Sequence, residues 1–315
     1  MKRILVVVMA VFSLLLAAGA ASAEPVQQFS FQLTKIKSDG RFTLIFLART
    51  YDTTGGVPPE LLSNYLRIPA GAKLRPEFLN KRWFCDGPAL RDALNRDLED
   101  SDKPFADRVA NLKPFIAKLR KSTSKRDKRA LANALTCDRA RIGSGTAQID
   151  ARASIAALTD LIPSKFSLFF SKPTVPGALA GFTVVGAADA NAAIVKRYPI
   201  VEAVHVALTA NFFDEPTPDG LYGYRLQLPS SNVNGFKVSI AELRVVNTGL
   251  TILKGTCLKK NKNGRCTKKQ KKTIFWFTQP DCPPSGRISF LSFFEYADPQ
   301  PDITKTLTLA CPNFG

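Results

Sequence analysis

The sequence predicts a mainly β protein, an immunoglobulin-like or jelly-roll-like β-sandwich with a short helical insertion. Short segments of alternating apolar and polar residues recur along the chain, Gly, Pro and Asn residues separate them, and one interval alone has helical spacing. The composition, 45% apolar and 22% charged residues, is that of a globular chain. With 315 residues the chain is long enough to bury a core as one domain or two.

The first 23 residues are typical of a signal peptide. Lys2 and Arg3 precede an apolar run, and the small residues from Gly19 to Ala23 match the rule for signal-peptidase cleavage. The run is too short for a comfortable membrane span, and no later segment is apolar enough for one. We therefore expect cleavage after Ala23 and a soluble mature chain, residues 24–315, that is secreted or held in the cell envelope.

Alternation with period two predicts strands over most of the mature chain. Phe29–Thr34 and Phe42–Leu47 flank the turn signal Ser38–Gly40, which indicates a hairpin. Further strands are predicted at Tyr65–Ile68, Thr146–Ile149, Phe166–Phe170, Phe182–Val185, Val201–Phe213, Tyr224–Leu228, Phe236–Val246, Thr273–Thr278, Arg287–Tyr296 and Ile303–Ala310. Two packed β subdomains, with a break near residues 190–200, are the alternative to one domain.

The interval 87–136 is predicted to be a helical insert. Its apolar residues recur at steps of four, three, four and three: Phe105, Val109, Leu112, Ile116 and Leu119. Pro104 is placed to begin a helix, Pro114 to kink or divide it, and a further basic stretch runs from Lys125 to Leu135. We interpret the insert as a cap whose apolar stripe packs on the sheet; a membrane-surface or partner-binding arm is the alternative.

Six cysteines follow the predicted cleavage site: Cys85, Cys137, Cys257, Cys266, Cys282 and Cys311. An even number in an exported chain predicts three disulfides. Fifteen pairings are open, and the grouping along the chain favours Cys85–Cys137, Cys257–Cys266 and Cys282–Cys311. On the chain-entropy model these would contribute roughly 4, 2.7 and 3.6 kcal/mol. A zinc site would lack a C-x-x-C pair and could draw on His205 alone, so we expect neither metal nor cofactor.

Positive charge is concentrated in residues 254–272, which we call the basic hairpin. The formal charge of +18 falls to +16 without Lys2 and Arg3, and nine of these charges lie in the basic hairpin, which contains no Asp or Glu. Asn263-Gly264 is a turn signal between Cys257 and Cys266. The predicted anion-binding residues are Lys259, Lys260, Lys262, Arg265, Lys268, Lys269, Lys271 and Lys272. Alternatively, the charge serves to block edge-to-edge strand pairing.

The sequence contains no convincing catalytic group. His205, the single histidine, lies in a strand-like run and is interpreted as structural, and Gly143-Ser144-Gly145 lacks the spacing of a nucleophile elbow. Acid–base chemistry would have to use carboxylates in two turns, neither of which resembles a calcium loop. These carboxylates are Asp214, Glu215 and Asp219 in one turn, and Glu295, Asp298 and Asp302 near the other.

Three phrases carry a resemblance: Leu66–Ala72 before Cys85, Gly143–Ala147 after Cys137, and the ending from Cys282 to Cys311. Together they resemble a family of secreted actinobacterial proteins of unknown function. The resemblance covers most of the mature chain in outline and implies the first and third cysteine pairings. The sequence departs from the family at the helical insert and around Cys266, and the resemblance implies no activity.

These observations predict a non-catalytic exported binding or structural module. Its expected partner is an anionic envelope polymer or a lipid surface, bound through the basic hairpin. Nucleic acid is not expected as the physiological partner, because aromatic stacking residues are sparse there. The alternatives are a glycan-directed hydrolase with paired carboxylates, and an adhesion or assembly subunit that docks on a protein partner.

Overall fold

The computed structural model describes residues 25–33, 44–52, 61–70, 73–74, 83–97, 102–152, 154–155, 157–202, 204–228, 232–233, 236–247, 250–274, 277–278, 284–297 and 301–310. Within them the chain is mainly β, a curled antiparallel sheet with a few helices, which confirms the predicted class at that level. The immunoglobulin-like or jelly-roll-like type stays a prediction. The predicted signal peptide, Cys282 and Cys311 lie outside the described residues.

The strands are β1 Pro25–Leu33, β2 Leu44–Asp52, β3 Leu61–Pro69, β4 Lys73–Leu74, β5 Arg141–Asp150, β6 Ile162–Ser171, β7 Ala180–Ala188, β8 His205–Asp214, β9 Tyr222–Leu228, β10 Asn232–Val233, β11 Phe236–Lys237, β12 Ser239–Asn247, β13 Leu250–Lys260, β14 Cys266–Ile274, β15 Phe277–Thr278, β16 Arg287–Tyr296 and β17 Ile303–Ala310. Eleven of them form one sheet in the order β1-β2-β12-β5-β6-β7-β8-β9-β3-β16-β17. Its edge strands, β1 and β17, approach within 8 Å between Cα atoms, as the curl of the sheet requires.

Six helices lie within the described residues: α1 Gly87–Arg96, α2 Phe105–Ala110, α3 Lys113–Lys121, α4 Lys125–Ala140, α5 Ala193–Arg197 and α6 Pro199–Glu202. The first four fill the interval 87–136 that was predicted to be helical, and α4 continues four residues beyond it, to Ala140. Pro104 directly precedes α2 and Pro114 lies in the first turn of α3, as their fixed backbone angle favours. The carboxylate of Asp86 and the hydroxyl of Ser124 cap α1 and α4 by accepting backbone N–H bonds.

One strand begins later in the structure than the sequence predicts. Val201–Phe213 was expected to be extended throughout, but Pro199–Glu202 form the short helix α6 and the strand begins at His205. The valines of this segment favour a strand by their intrinsic propensity. Val201 is nevertheless buried in a small cluster with Ile194 and Val195, so its packing outweighs the β propensity. The strands on either side of α5 and α6, β7 and β8, pair directly with each other.

Strand β7, at the centre of the sheet, is buried on both faces, which explains its nearly continuous run of apolar and small residues. On one face a series of rings crosses β6 to β9, with centroids 5.3, 5.7, 6.3 and 5.0 Å apart. These rings belong to Phe84, Phe170, Phe182, Phe212 and Tyr224. The other face is covered by α1 and α2, and the apolar stripe predicted for the insert is buried there. The insert is therefore a cap on the sheet.

A disulfide and three basic side chains hold this cap in place. Cys85 and Cys137 are bonded, as predicted, and Cys85 also donates its backbone N–H to Phe170 at 3.0 Å. Arg108 is buried and joins the end of α1 through the Leu94 carbonyl at 3.0 Å.

Arg108 also contacts Asp97 at 2.7 Å, and Lys118 of α3 reaches the second oxygen of the same carboxylate. At the start of β5, Arg141 donates to the carbonyls of Val109 and Ala110, so it caps the C-terminus of α2.

Candidate anion-binding surface

The basic hairpin is formed by β13 and β14, which pair with each other and with no strand of the main sheet among the described residues. Cys257 and Cys266 are bonded across it, with 5.7 Å between their Cα atoms, as the sequence predicted. The register shifts three times along the pair. Such irregularities increase the local twist of a β-ribbon.

The turn of the hairpin is built on Asn261. Its side-chain oxygen accepts backbone N–H bonds from Asn263 at 3.1 Å and from Arg265 at 2.9 Å. Gly264 has a φ of +75°, the left-handed conformation that the Asn-Gly turn signal predicts. The turn is therefore fixed by its own side-chain and backbone bonds.

Four of the eight predicted anion-binding residues have described side chains, and all four are exposed: Lys259, Lys260, Lys262 and Arg265. The other four, Lys268, Lys269, Lys271 and Lys272, are described by their backbone in β14, with Lys268 opposite Lys259 and Lys269 opposite Cys257. Because residues 250–274 contain no Asp or Glu, no carboxylate within the hairpin offsets this charge.

Helix α4 approaches strand β13, with Cα atoms of the two elements within 8 Å of each other. Its first two turns expose four further cations, Lys125, Arg126, Lys128 and Arg129. The sequence identified this stretch as basic. It gave no sign that α4 would approach β13, since more than a hundred residues separate the two elements along the chain.

The first acidic turn, which contains Glu215, is held by ion pairs to two arginines. Glu215 accepts a bond from Arg67 at 2.7 Å and from Arg225 at 2.6 Å. Partial burial raises the pKa of Glu215, but the bonds from Arg225 and Arg67 outweigh it and hold the pKa below its ordinary value. A carboxylate held ionised by two guanidinium groups is poorly suited to act as a general acid.

Two of the other carboxylates, Asp219 and Asp302, also serve local structure. Asp219 accepts bonds from the Thr217 hydroxyl and the Leu221 backbone, and these bonds lower its pKa. Asp302 accepts the backbone N–H of Tyr296 at 3.3 Å. Asp298 lies outside the described residues.

His205 is buried between the sheet and the cap. Its Nδ1 lies 2.6 Å from the side-chain oxygen of Asn95, and its ring stacks on Phe105 with centroids 4.0 Å apart. Burial lowers the pKa of His205, a bond to the Glu202 backbone raises it, and the charges of Arg108 and Arg91 lower it further; the net shift is downward. These contacts belong to packing.

The Gly-Ser-Gly sequence lies within β5. A Cβ atom at Gly145 would come within 2.3 Å of the Phe166 ring on the neighbouring strand, so the glycine makes room for that ring. The side chains that the structure describes include no group of three His, Cys, Asp or Glu residues that could hold a metal. Within the same residues, no helix combines the length and the apolar character needed to cross a membrane.

Comparisons with protein-family models, with curated proteins and with solved structures found no match to this chain.

Proposed function

We propose that this protein is a non-catalytic exported binding module that holds an anionic polymer of the cell envelope on its basic hairpin. The observation that carries the proposal is the exposure of Lys259, Lys260, Lys262 and Arg265 on a disulfide-bonded turn without a neighbouring carboxylate in the hairpin. The two disulfides support export, since such bonds persist in oxidising compartments. The predicted signal peptide and the resemblance to secreted proteins agree with it.

The sheet is the scaffold in this proposal. We infer that the sheet curls so that its two halves pack face to face as the layers of a sandwich. The approach of the edge strands β1 and β17 supports this inference. The buried ring series and the helical cap make the central strands rigid. In this proposal the scaffold holds the hairpin in position, and the hairpin is the segment that contacts the ligand.

Binding by clustered lysines depends on salt. Each cation that neutralises a polymer charge releases bound counterions, so affinity falls steeply as the salt concentration rises. The disulfide and the Asn261 turn reduce the conformational entropy lost on binding, because the backbone of the hairpin is already ordered. Carboxylates placed in the same turn would have cancelled this attraction, and none is present there.

A lipid surface carrying anionic headgroups is the second candidate. Leu258 is 56% exposed between the disulfide and the lysines, and an exposed apolar side chain beside cations can enter a headgroup region. The two candidates differ in one respect: only lipid binding should depend on Leu258.

The test is sedimentation of the mature protein with isolated envelope material across a salt series. The triple variant Lys259→Gln, Lys260→Gln and Lys262→Gln is compared with a control triple, Lys172→Gln, Lys196→Gln and Lys305→Gln, which removes the same charge from three other exposed positions. We expect salt-sensitive binding that the hairpin variant loses and the control keeps. Equal loss in both variants would show that net charge alone attracts the protein, and the proposed site would be wrong.

The same variants with anionic vesicles separate the two candidates. If Leu258→Ser abolishes sedimentation with vesicles and with envelope material alike, the ligand is the lipid surface. If it leaves envelope binding unchanged, the polymer is the ligand.

A further inference from the structure

The two disulfides that the structure describes lie in opposite surroundings. Cys85 and Cys137 are 1% and 0% exposed, in the core that joins the cap to the sheet. Cys266 is exposed and Cys257 is half-buried, in the basic hairpin. Thiol–disulfide exchange requires a thiolate to reach a disulfide sulfur, and exposed disulfides are therefore the more easily reduced ones. Access favours exchange at the hairpin disulfide and opposes it at the buried one.

Positive charge lies beside the hairpin disulfide at the level of single residues. Arg265 directly precedes Cys266, and Lys260 is the partner of Cys266 in the strand register. Both cations are exposed, and the basic hairpin contains no Asp or Glu to offset them. Cleavage of a disulfide leaves an anionic thiolate, which neighbouring cations stabilise. A stabilised thiolate is a better leaving group, so this charge favours both faster cleavage and the reduced state.

The rest of the fold does not depend on this bond. Strands β13 and β14 pair with no strand of the main sheet within the described part of the chain. The bond joins residues nine apart, against 52 for the buried disulfide, and a shorter loop restricts the unfolded chain less. Asn261 holds the turn through bonds to the backbone of Asn263 and Arg265, which need no disulfide. The hairpin can therefore be reduced and reoxidised while the sheet stays folded.

We propose that Cys257–Cys266 is a thiol–disulfide exchange site for anionic low-molecular-weight thiols, and that Cys85–Cys137 is a permanent cross-link. The inference goes beyond the proposed function, since it requires no polymer. The hairpin carries the cations that attract such a thiol and repel a cationic one. Salt screens both effects.

Exchange consumes two thiol molecules. The thiolate of the first attacks Sγ of Cys266, the more exposed of the two residues, and forms a mixed disulfide. The Sγ–Sγ bond breaks, and its electron pair goes to Sγ of Cys257 as a thiolate. The thiolate of the second molecule attacks the non-protein sulfur of the mixed disulfide and displaces the Cys266 thiolate. Both cysteines are reduced, two thiols are oxidised to one symmetrical disulfide, and the protons of these thiols pass to the cysteines or to water.

The experiment measures second-order rates of reduction of the full mature chain by three thiols. They are 2-mercaptoethanesulfonate, 2-mercaptoethanol and cysteamine, which carry a negative, a neutral and a positive substituent. Free cysteines are alkylated at intervals and located by peptide mass spectrometry. We expect Cys257 and Cys266 to be alkylated at least tenfold faster than Cys85 and Cys137. Equal rates for the two pairs, or faster alkylation of the buried pair, would overturn the exchange site.

The hairpin triple and the control triple described above test the selection of the thiol. Because each thiol is compared with itself between variants, its intrinsic reactivity cancels. At low salt concentration, the ratio of the sulfonate-thiol rate to the cysteamine rate should fall about fivefold in the hairpin triple and stay unchanged in the control triple. An unchanged ratio in the hairpin triple, or an equal fall in both variants, would show that the hairpin cations do not select the thiol.

The wild-type chain offers a second test that requires no variant. Added salt should slow reduction by the sulfonate thiol and accelerate reduction by cysteamine, because it screens attraction and repulsion alike. The same response for both thiols would contradict the proposal, and this series decides the matter if the hairpin triple does not fold. A failure to bind envelope material would remove the proposed function and leave these rates unaffected, so the two proposals are tested separately.

Discussion

The side-chain oxygen of Asn95 lies 2.6 Å from Nδ1 of His205, so the single imidazole of the chain joins helix α1 to strand β8 across 110 residues of sequence. The same ring stacks on Phe105 of α2. Three elements of the fold therefore meet at one titratable group. Because burial keeps its pKa below the ordinary value, the native state favours the neutral ring.

Stability should fall as the pH drops below about 6.5, the ordinary pKa of histidine. The unfolded chain takes up a proton there that the folded chain takes up only at lower pH, so protonation favours unfolding. Urea midpoints measured from pH 7.5 to pH 5 should decrease, and the decrease should be smaller in His205→Gln. Glu215 and Asp189, whose pKa values are lowered, lose their contributions only at more acidic pH, so they do not mask this window. A pH slope unchanged by the substitution would contradict the assignment.

Arg108→Met should lower the free energy of unfolding by about 3 kcal/mol, because it leaves the carboxylate of Asp97 without its main partner in a largely buried place. The matched control is Arg91→Met, which removes a more exposed arginine of α1 from an ion pair with Asp92. Exposed pairs of this kind contribute roughly 0–1 kcal/mol. Equal losses in the two variants, measured by urea unfolding, would show that the buried network has no special role.

The two disulfides should differ in what they stabilise. Replacing Cys85 and Cys137 with Ala opens a loop of 52 residues and should cost about 4 kcal/mol of global stability. Replacing Cys257 and Cys266 should instead open the hairpin locally, because a two-stranded ribbon is marginal on its own. Hydrogen exchange should then accelerate in residues 257–266 while the central strands keep their protection. Faster exchange in the central strands would show that the hairpin supports the sheet.

Gly87→Ala should destabilise the protein by about 1–3 kcal/mol, because the new Cβ atom would lie 2.2 Å from the Cγ2 methyl of Thr183. Thr183→Ser removes that methyl and keeps the hydroxyl, which bonds Ser171 and Thr209 at 2.7 Å. The double variant should therefore be more stable than the sum of the single effects predicts. Additive effects in a double-mutant cycle would place the cause elsewhere.

The elements of this fold could be predicted wherever the local pattern was strong. Steps of three and four predicted the helical insert, and Asn263-Gly264 between two cysteines predicted the hairpin and its disulfide. The predicted start of β8 was wrong, because Val201 forms part of a short helix and packs in a small apolar cluster. Local preference decided the element type, and packing decided its boundary.

The arrangement of the elements depended on contacts that no short window of sequence contains. Arg67 and Glu215, which lie 148 residues apart, form an ion pair because β3 pairs with β9. The neighbourhood of α4 and β13 has the same origin. The basic hairpin could thus be predicted from sequence, and the approach of α4 to β13 could not.

The strand order also sets a schedule for the growing chain. The meander from β5 to β9 joins neighbours in sequence and can assemble as it emerges. In contrast, β2 must wait for β12, nearly two hundred residues later, and β3 cannot complete its pairing before β16. Until then the amino-terminal strands present open edges, which are prone to aggregate. We therefore expect the amino-terminal strands to be the part of the chain most prone to aggregate before β12 and β16 pair with them.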